Sequence, residues 1–143
     1  KNEIMEVGKA VFDILFNVSD VRSLISESGS NPRIFPSRYD FPTNVLLPYI
    51  TYQVVSDEPN NTKNGVSTYD YVTVQISIYD LRYSSLVELA GKVRTALDYT
   101  SGTFRSVVVD KIFFENQNDL FDDSAGEQGF YGIAQDYRFN INR

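Results

Sequence analysis

"TYDYVTVQISIYDLRYSSLVELAGKVRTAL", residues 68–97, changes its hydrophobic period halfway along. In its first half Val72, Val74, Ile76 and Ile78 alternate with Tyr71, Thr73, Gln75, Ser77 and Tyr79. That period of two predicts a strand with one face on a core and the other on water or a neighbouring molecule. In its second half Leu86, Leu89, Ala90, Val93, Ala96 and Leu97 recur at spacings of three and four, an amphipathic helix opened by Ser84 and Ser85 and stopped near Gly102. Such a helix is expected to lie back on the valine face of the strand that precedes it.

Working outward, "NEIMEVGKAVFDILFNV" sets Ile4, Val7, Val11, Ile14, Leu15 and Val18 against Glu6, Lys9, Asp13 and Asn17, a second amphipathic helix. Ser19 is placed to cap a further short helical turn through "DVRSLI", with Asp20 near its positive end. "RIFPSRYDFPTNVLLP" predicts a short strand at Arg33 to Phe35 and then an extended loop punctuated by Pro36, Pro42 and Pro48. The next strand, Tyr49 to Val55, is bounded by Pro48 and Pro59 and spreads Tyr and Thr over both faces, so it is expected at a sheet edge. The polar run "SDEPNNTKNG" that follows is long for a hairpin loop. Downstream, "SVVVDKIFFE" and "FYGIAQDYRFNI" are strand candidates separated by the acidic "NQNDLFDDSAGEQG". In the last of them Tyr131, Ile133, Tyr137, Phe139 and Ile141 share a face. The order predicts an α+β fold, an antiparallel sheet covered on one face by two helices, in a single domain spanning residues 1–143.

At 143 residues the chain is long enough for one core, since folding at this size buries roughly 70% of the unfolded surface. The chain has neither cysteine nor histidine, which excludes disulfides, Cys/His zinc sites, thiol nucleophiles and triads with an imidazole base. A net charge of -6 with scattered Lys and Arg lacks the basic stripe that grips nucleic acid. No apolar run is long enough for a membrane span, and no secretory leader is expected at the start. Ten Tyr and ten Phe supply apolar area suited to a packed sheet or to a surface covered on assembly.

For chemistry, Asp119, Asp122, Asp123 and Glu127 are close in sequence, but their spacing departs from the alternating ligands of a calcium-binding helix–loop–helix. They are expected on a solvated acidic hairpin; a carboxylate- or divalent-metal-dependent enzyme is the alternative they leave open. The glycines form no phosphate-binding fingerprint, and "NNT" at 60–62 matches a glycosylation sequon but, with no secretory route expected, reads as a chance match on a surface loop. Arg33, Arg38 and Arg82 with Tyr39 and Tyr83 are of the residue types that anchor interfaces, or are ordinary surface residues near turns.

Taken in order, "VSDVRSLI", "RIFPSRYDFPTNVLLPYITYQVVSDEP", "YVTVQISIYD", "SSLVELAGKVRTAL" and the closing "QDYRFNI" resemble the tail completion or tail terminator family of long-tailed bacteriophages and gene-transfer particles. The resemblance runs over nearly the whole chain, with "RIFP" and "LPYITYQ" among its most specific pieces. It implies a structural virion protein without catalytic residues, cofactor or metal. Such subunits form a ring, commonly of six copies, at the head-proximal end of the tail tube, where they end tube growth and meet the head–tail connector or stopper protein. A head-completion or adaptor ring in the neck is the neighbouring alternative. The resemblance implies as partners other copies of the chain, the tail tube protein and the connector; genome DNA would pass without specific binding, and no membrane is involved. Subunit or partner contacts are then expected at Tyr49, Tyr52, Tyr71, Tyr79, Arg33 and Arg38. Contacts to tube, connector or channel are expected from Asp57, Glu58, Asn60, Asn61, Lys63, Asp119, Asp122, Asp123 and Glu127.

Overall fold

A computed structural model describes residues 3–26, 33–36, 48–59, 69–122 and 130–142. Within them the chain runs through α1 (Glu3–Asn17), α2 (Ser19–Ile25), β1 (Ile34–Pro36), β2 (Tyr49–Pro59), β3 (Tyr69–Asp80), α3 (Tyr83–Leu97), β4 (Gly102–Phe104), β5 (Val107–Asp122) and β6 (Phe130–Asn142). The strands form one sheet in the order β1-β2-β3-β6-β5-β4. β1 runs parallel to β2, and every other neighbouring pair is antiparallel. The sheet is therefore mixed, where the sequence predicted a purely antiparallel one, and three helices accompany it instead of two. α3 contacts β3, β6 and β5, while α1 reaches both β2 on one side and β4 and β5 on the other. A sheet whose two flanks meet the same helix is curled around it.

The period of two in β3 is realised as expected. Val72, Val74, Ile76 and Ile78 are buried under the helices, opposite Leu86, Leu89, Ala90, Val93 and Leu97 of α3 and Val7, Ala10, Val11, Ile14 and Leu15 of α1. In β6 the alternation buries Ile133, Tyr137, Phe139 and Ile141 on the same side. The one polar member of that row, Gln135, is 1% exposed. Its amide donates to the Ala90 carbonyl of α3 at 3.1 Å and to Gln117 Oε1 at 3.0 Å, and its carbonyl accepts the Tyr137 hydroxyl at 2.7 Å. Gln135 thus ties β5, β6 and α3 together inside the apolar layer.

Several boundaries differ from the sequence expectation for local reasons. The edge expected at β2 is covered over its first residues by β1, with Ile34 opposite Ile50 and Pro36 opposite Tyr52, and beyond Tyr52 no described strand pairs on that side. β2 also continues to Pro59, because the polar residues Ser56 to Glu58 pair with β3 beyond a bulge at Val55. β1 itself begins at Ile34, one residue later than predicted, since Arg33 is used as a clip described below. The residue preceding α2 is Val18, whose carbonyl accepts the Val21 and Arg22 N–H groups; Ser19 is already helical and makes no side-chain cap. α3 ends before Gly102: Asp98 N–H closes the last turn on the Arg94 carbonyl, and Tyr99 reverses the chain with a φ of 64°. Gly102, at φ 144°, instead opens β4, a strand the sequence reading does not contain. β5 absorbs the first half of the predicted acidic connector, pairing without a break from Asn116 to Asp122 after bulges at Asp110 and Glu115. The extended loop expected after β1 lies outside the described residues.

Candidate interaction surface

The face of the sheet opposite the helices carries Tyr49, Tyr71 and Tyr79, three of the residues that the sequence marks as contacts. Register sets its rows: Tyr49 lies beside Tyr79 and Gly132, Gln53 beside Gln75 and Asp136, and Thr73 beside Arg138 and Phe113. Tyr49 and Tyr79 bring their rings to 5.1 Å, and Phe35 meets Tyr49 edge-on at 6.4 Å. Tyr79 in turn covers Gly132, where a Cβ would stand 2.9 Å from its ring. Glycine is therefore the residue that lets Tyr79 lie flat on β6. Gln75 Nε2 donates to Asp136 at 3.4 Å.

One row further along, the Arg138 guanidinium sits 5.4 Å from the Tyr71 ring and 5.0 Å from the Phe113 ring, within the range of cation–π attraction. Phe113 meets Tyr99 edge-on at 5.9 Å, and Tyr99 is 66% exposed. Arg138 Nε is buried and makes no hydrogen bond among the described residues. An arginine held between two rings presents a preorganised positive charge to a partner outside the chain.

A second cluster lies on the helix side, near the start of α3. Tyr83 donates its hydroxyl to Asp119 Oδ2 at 2.9 Å and packs edge-on against Tyr131 at 5.7 Å. The hydrogen bond to Asp119, reinforced by the carboxylate's charge, holds the Tyr83 phenol above its ordinary pKa. Leu81, Tyr83, Val87 and Tyr131 are all exposed here. Val87 stands one turn from Tyr83 on α3 and continues the apolar surface along the helix. A large exposed apolar cluster around an acidic group is the composition of an interaction site.

Two of the predicted contact residues are used inside the chain. Tyr52 is on the helix side of β2, where its ring closes on α1 so tightly that a Cβ on Gly8 would lie 2.6 Å away; burial pushes its phenol pKa up. Arg33 donates from Nε to the Pro48 carbonyl at 2.8 Å and from Nη2 to the Leu24 carbonyl at 3.4 Å. Its backbone bridges the Ile25 carbonyl and the Ile50 N–H, so it clips α2 to the parallel β1–β2 pair. Asp57 and Glu58 are in β2 opposite Val72 and Tyr71, and Asp122 ends β5 opposite Phe130. Arg38, Tyr39, Asn60, Asn61, Lys63, Asp123 and Glu127 lie outside the described residues. Asp119 belongs to a strand and not to a hairpin tip, and among the described residues no three Asp or Glu side chains gather as metal ligands. The sequence reading missed the Arg138–Phe113 pair and paired Tyr83 with no acid, because both contacts depend on strand register.

No curated protein matches the chain. In fold it is similar to a chain of a structure titled "Virion of native gene transfer agent (GTA) particle", with a TM-score of 0.76, 12% identity and 98% of each chain covered. The family model described as Tail completion protein gp17 matches residues 9–141. That span takes in every helix and strand of the described fold except the first turns of α1 and the last residue of β6, and with it the chain belongs to the Tail completion protein gp17 family, structural proteins of the bacteriophage virion tail.

Proposed function

We propose that this protein forms a ring, of six copies, at the head-proximal end of a phage or phage-like tail tube, where it ends tube growth and joins the tail to the head connector. The observation that carries the reading is the family match over residues 9–141, supported by a fold shared from end to end with a virion chain of a gene transfer agent. The protein acts by binding and not by catalysis. Its partners are its own copies, the tail tube protein and the connector or stopper protein, and an acidic chain of net charge -6 lets DNA pass without holding it. The loops after β2 and after β5 supply contacts to tube or connector.

The test has two parts. Native mass spectrometry over a concentration series reads the copy number, and sedimentation with purified tail tubes or with purified portal complexes reads the partner. A six-copy species that binds tubes supports the terminator role. Binding to portal complexes and not to tubes would move the ring one layer up, into the neck. Failure to bind either one would overturn the reading.

A further inference from the structure

The β5–β6 ribbon is electrically polarised. Lys111 and Arg138, with Asp110 and Asp136 beside them, stand at one end of it, and the remaining carboxylates of residues 112–135, Glu115, Asp119, Asp122, Asp123 and Glu127, have no Lys or Arg among them. Ion pairs away from the ribbon join Lys92 to Glu88 and Arg94 to Asp98 on α3, and Arg105 to Asp13 between the β4–β5 turn and α1. The ribbon's basic end carries the Tyr71–Arg138–Phe113 sandwich and the exposed Tyr99. Its acidic end carries Asp119 with Tyr83, Tyr131 and Val87.

These two surfaces look in opposite directions. Phe113 and Arg138 share a row with Thr73, on the face away from the helices. The bulge between Phe114 and Asn116 turns the alternation over, so Asp119, six residues on, pairs with the buried Ile133 and points to the helix side. Six residues of strand separate them by about 20 Å. A single partner related by a two-fold axis cannot reach both faces of one sheet at once. A second copy that brings its acidic end to the first copy's basic end leaves both remaining ends free for further copies, which is the head-to-tail contact from which rings are built.

Resting on the ring reading above, we infer that the Tyr71–Arg138–Phe113–Tyr99 platform of one copy receives the Asp119–Tyr83–Tyr131 surface of the next. Arg138 supplies a half-buried guanidinium fixed between the Tyr71 and Phe113 rings, and Asp119 supplies an exposed carboxylate already oriented by Tyr83. The surrounding aromatic rings exclude water from the pair, as at an interface hot spot. A charge contact of this kind weakens as salt is raised.

The experiment uses the full chain and its variants Arg138→Gln, Asp119→Asn and Tyr99→Asn, with folding checked by circular dichroism. Tyr99→Asn guards against a folding artefact at Arg138, since asparagine accepts the left-handed backbone of that exposed position. Each variant alone is expected to lose self-association by about 10-fold or more in dissociation constant, the scale of a hot-spot truncation. Arg138→Gln mixed with Asp119→Asn should give dimers and nothing larger, because that pair retains one intact contact. A multimer indifferent to all three changes would overturn this contact and leave the ring standing. A wild-type chain that stays monomeric at every concentration would overturn both. If Arg138→Gln assembled normally but lost retention on duplex DNA, the platform would be a phosphate site and the inference wrong.

Discussion

Replacing Gln135 by methionine keeps the length of the side chain and removes its three hydrogen bonds, so it isolates what a buried polar tie contributes to this fold. Of the groups left behind, the Ala90 carbonyl keeps its donor within α3, and Gln117 is exposed and turns to water. The Tyr137 hydroxyl has no such recourse, being fully buried with Gln135 Oε1 as its acceptor. Stranding a buried hydroxyl costs about 1–3 kcal/mol, and the lost amide bonds bring the expected loss for Gln135→Met to about 2–3 kcal/mol. Tyr137→Phe alone strands the Gln135 carbonyl instead and should cost about 1–2 kcal/mol. The double variant leaves neither group unpaired, so it should cost about 1–2 kcal/mol in total, a coupling of about 2 kcal/mol between the two sites. Urea unfolding at one fixed protein concentration reads these values, with an unchanged slope as the check that only stability has moved. Additive losses in the double variant would refute the network, and show that Tyr137 is held by packing against Phe114 and not by its hydroxyl.

Three further outcomes follow from the same geometry. Burial, partly offset by the nearby Arg94 charge, raises the Tyr137 phenol well above its ordinary pKa of 10.0; the unfolded chain therefore releases this proton first, and stability should be intact below pH 10 and fall progressively above it. Alkaline titration of the urea midpoint should show a shallower fall in Tyr137→Phe, and an identical profile would remove Tyr137 as the cause. Gly132→Ala drives a Cβ to 2.9 Å from the Tyr79 ring and should cost about 1–3 kcal/mol by overpacking, a cost that should largely vanish in a Tyr79→Ala background. Arg33→Ala should lower stability by about 1–3 kcal/mol through its two carbonyl bonds, while leaving the copy number of the folded protein unchanged; a loss of assembly without a loss of stability would return Arg33 to the interface.

The elements that could be read from the sequence are those whose apolar side chains alone define them. β3, α1, α3 and β6 each bury a periodic row, and the valine and leucine positions chosen from that period are buried, save Val18, which lies past the end of α1 and is partly covered. β5 is different: past Phe114 its partner is the backbone of β6, and the exposed "ENQND" carries no apolar alternation to betray it. The parallel placement of β1 beside β2 is set by three residues and an arginine clip, too short a stretch for periodicity to register. Gln135 did leave a signal, a lone polar residue in the middle of the buried row Ile133, Tyr137, Phe139, with a tyrosine two positions on, and its hydrogen bonds are the reason the row tolerates it.

The contact surface was less legible because exposure of a tyrosine depends on which face of its strand it takes, and on what crosses it from the neighbouring strand. Tyr49 and Tyr52 are three residues apart, so in a strand they must face opposite ways; the sequence alone assigns both to contacts, while Gly8 on α1 provides the flat seat that draws Tyr52 inward. Conversely, Phe113 and Arg138 are 25 positions apart and become neighbours only through a register that two bulges adjust. Each bulge also decides which face the residues beyond it occupy. Without the one at Glu115, Asp119 would lie on the same face as Phe113, and Tyr83 could not reach it. The opposed directions of the basic and acidic surfaces, on which head-to-tail assembly depends, therefore come from a single extra residue in β5, and deleting Glu115 should disrupt assembly by a route that no side-chain substitution at that exposed position reproduces.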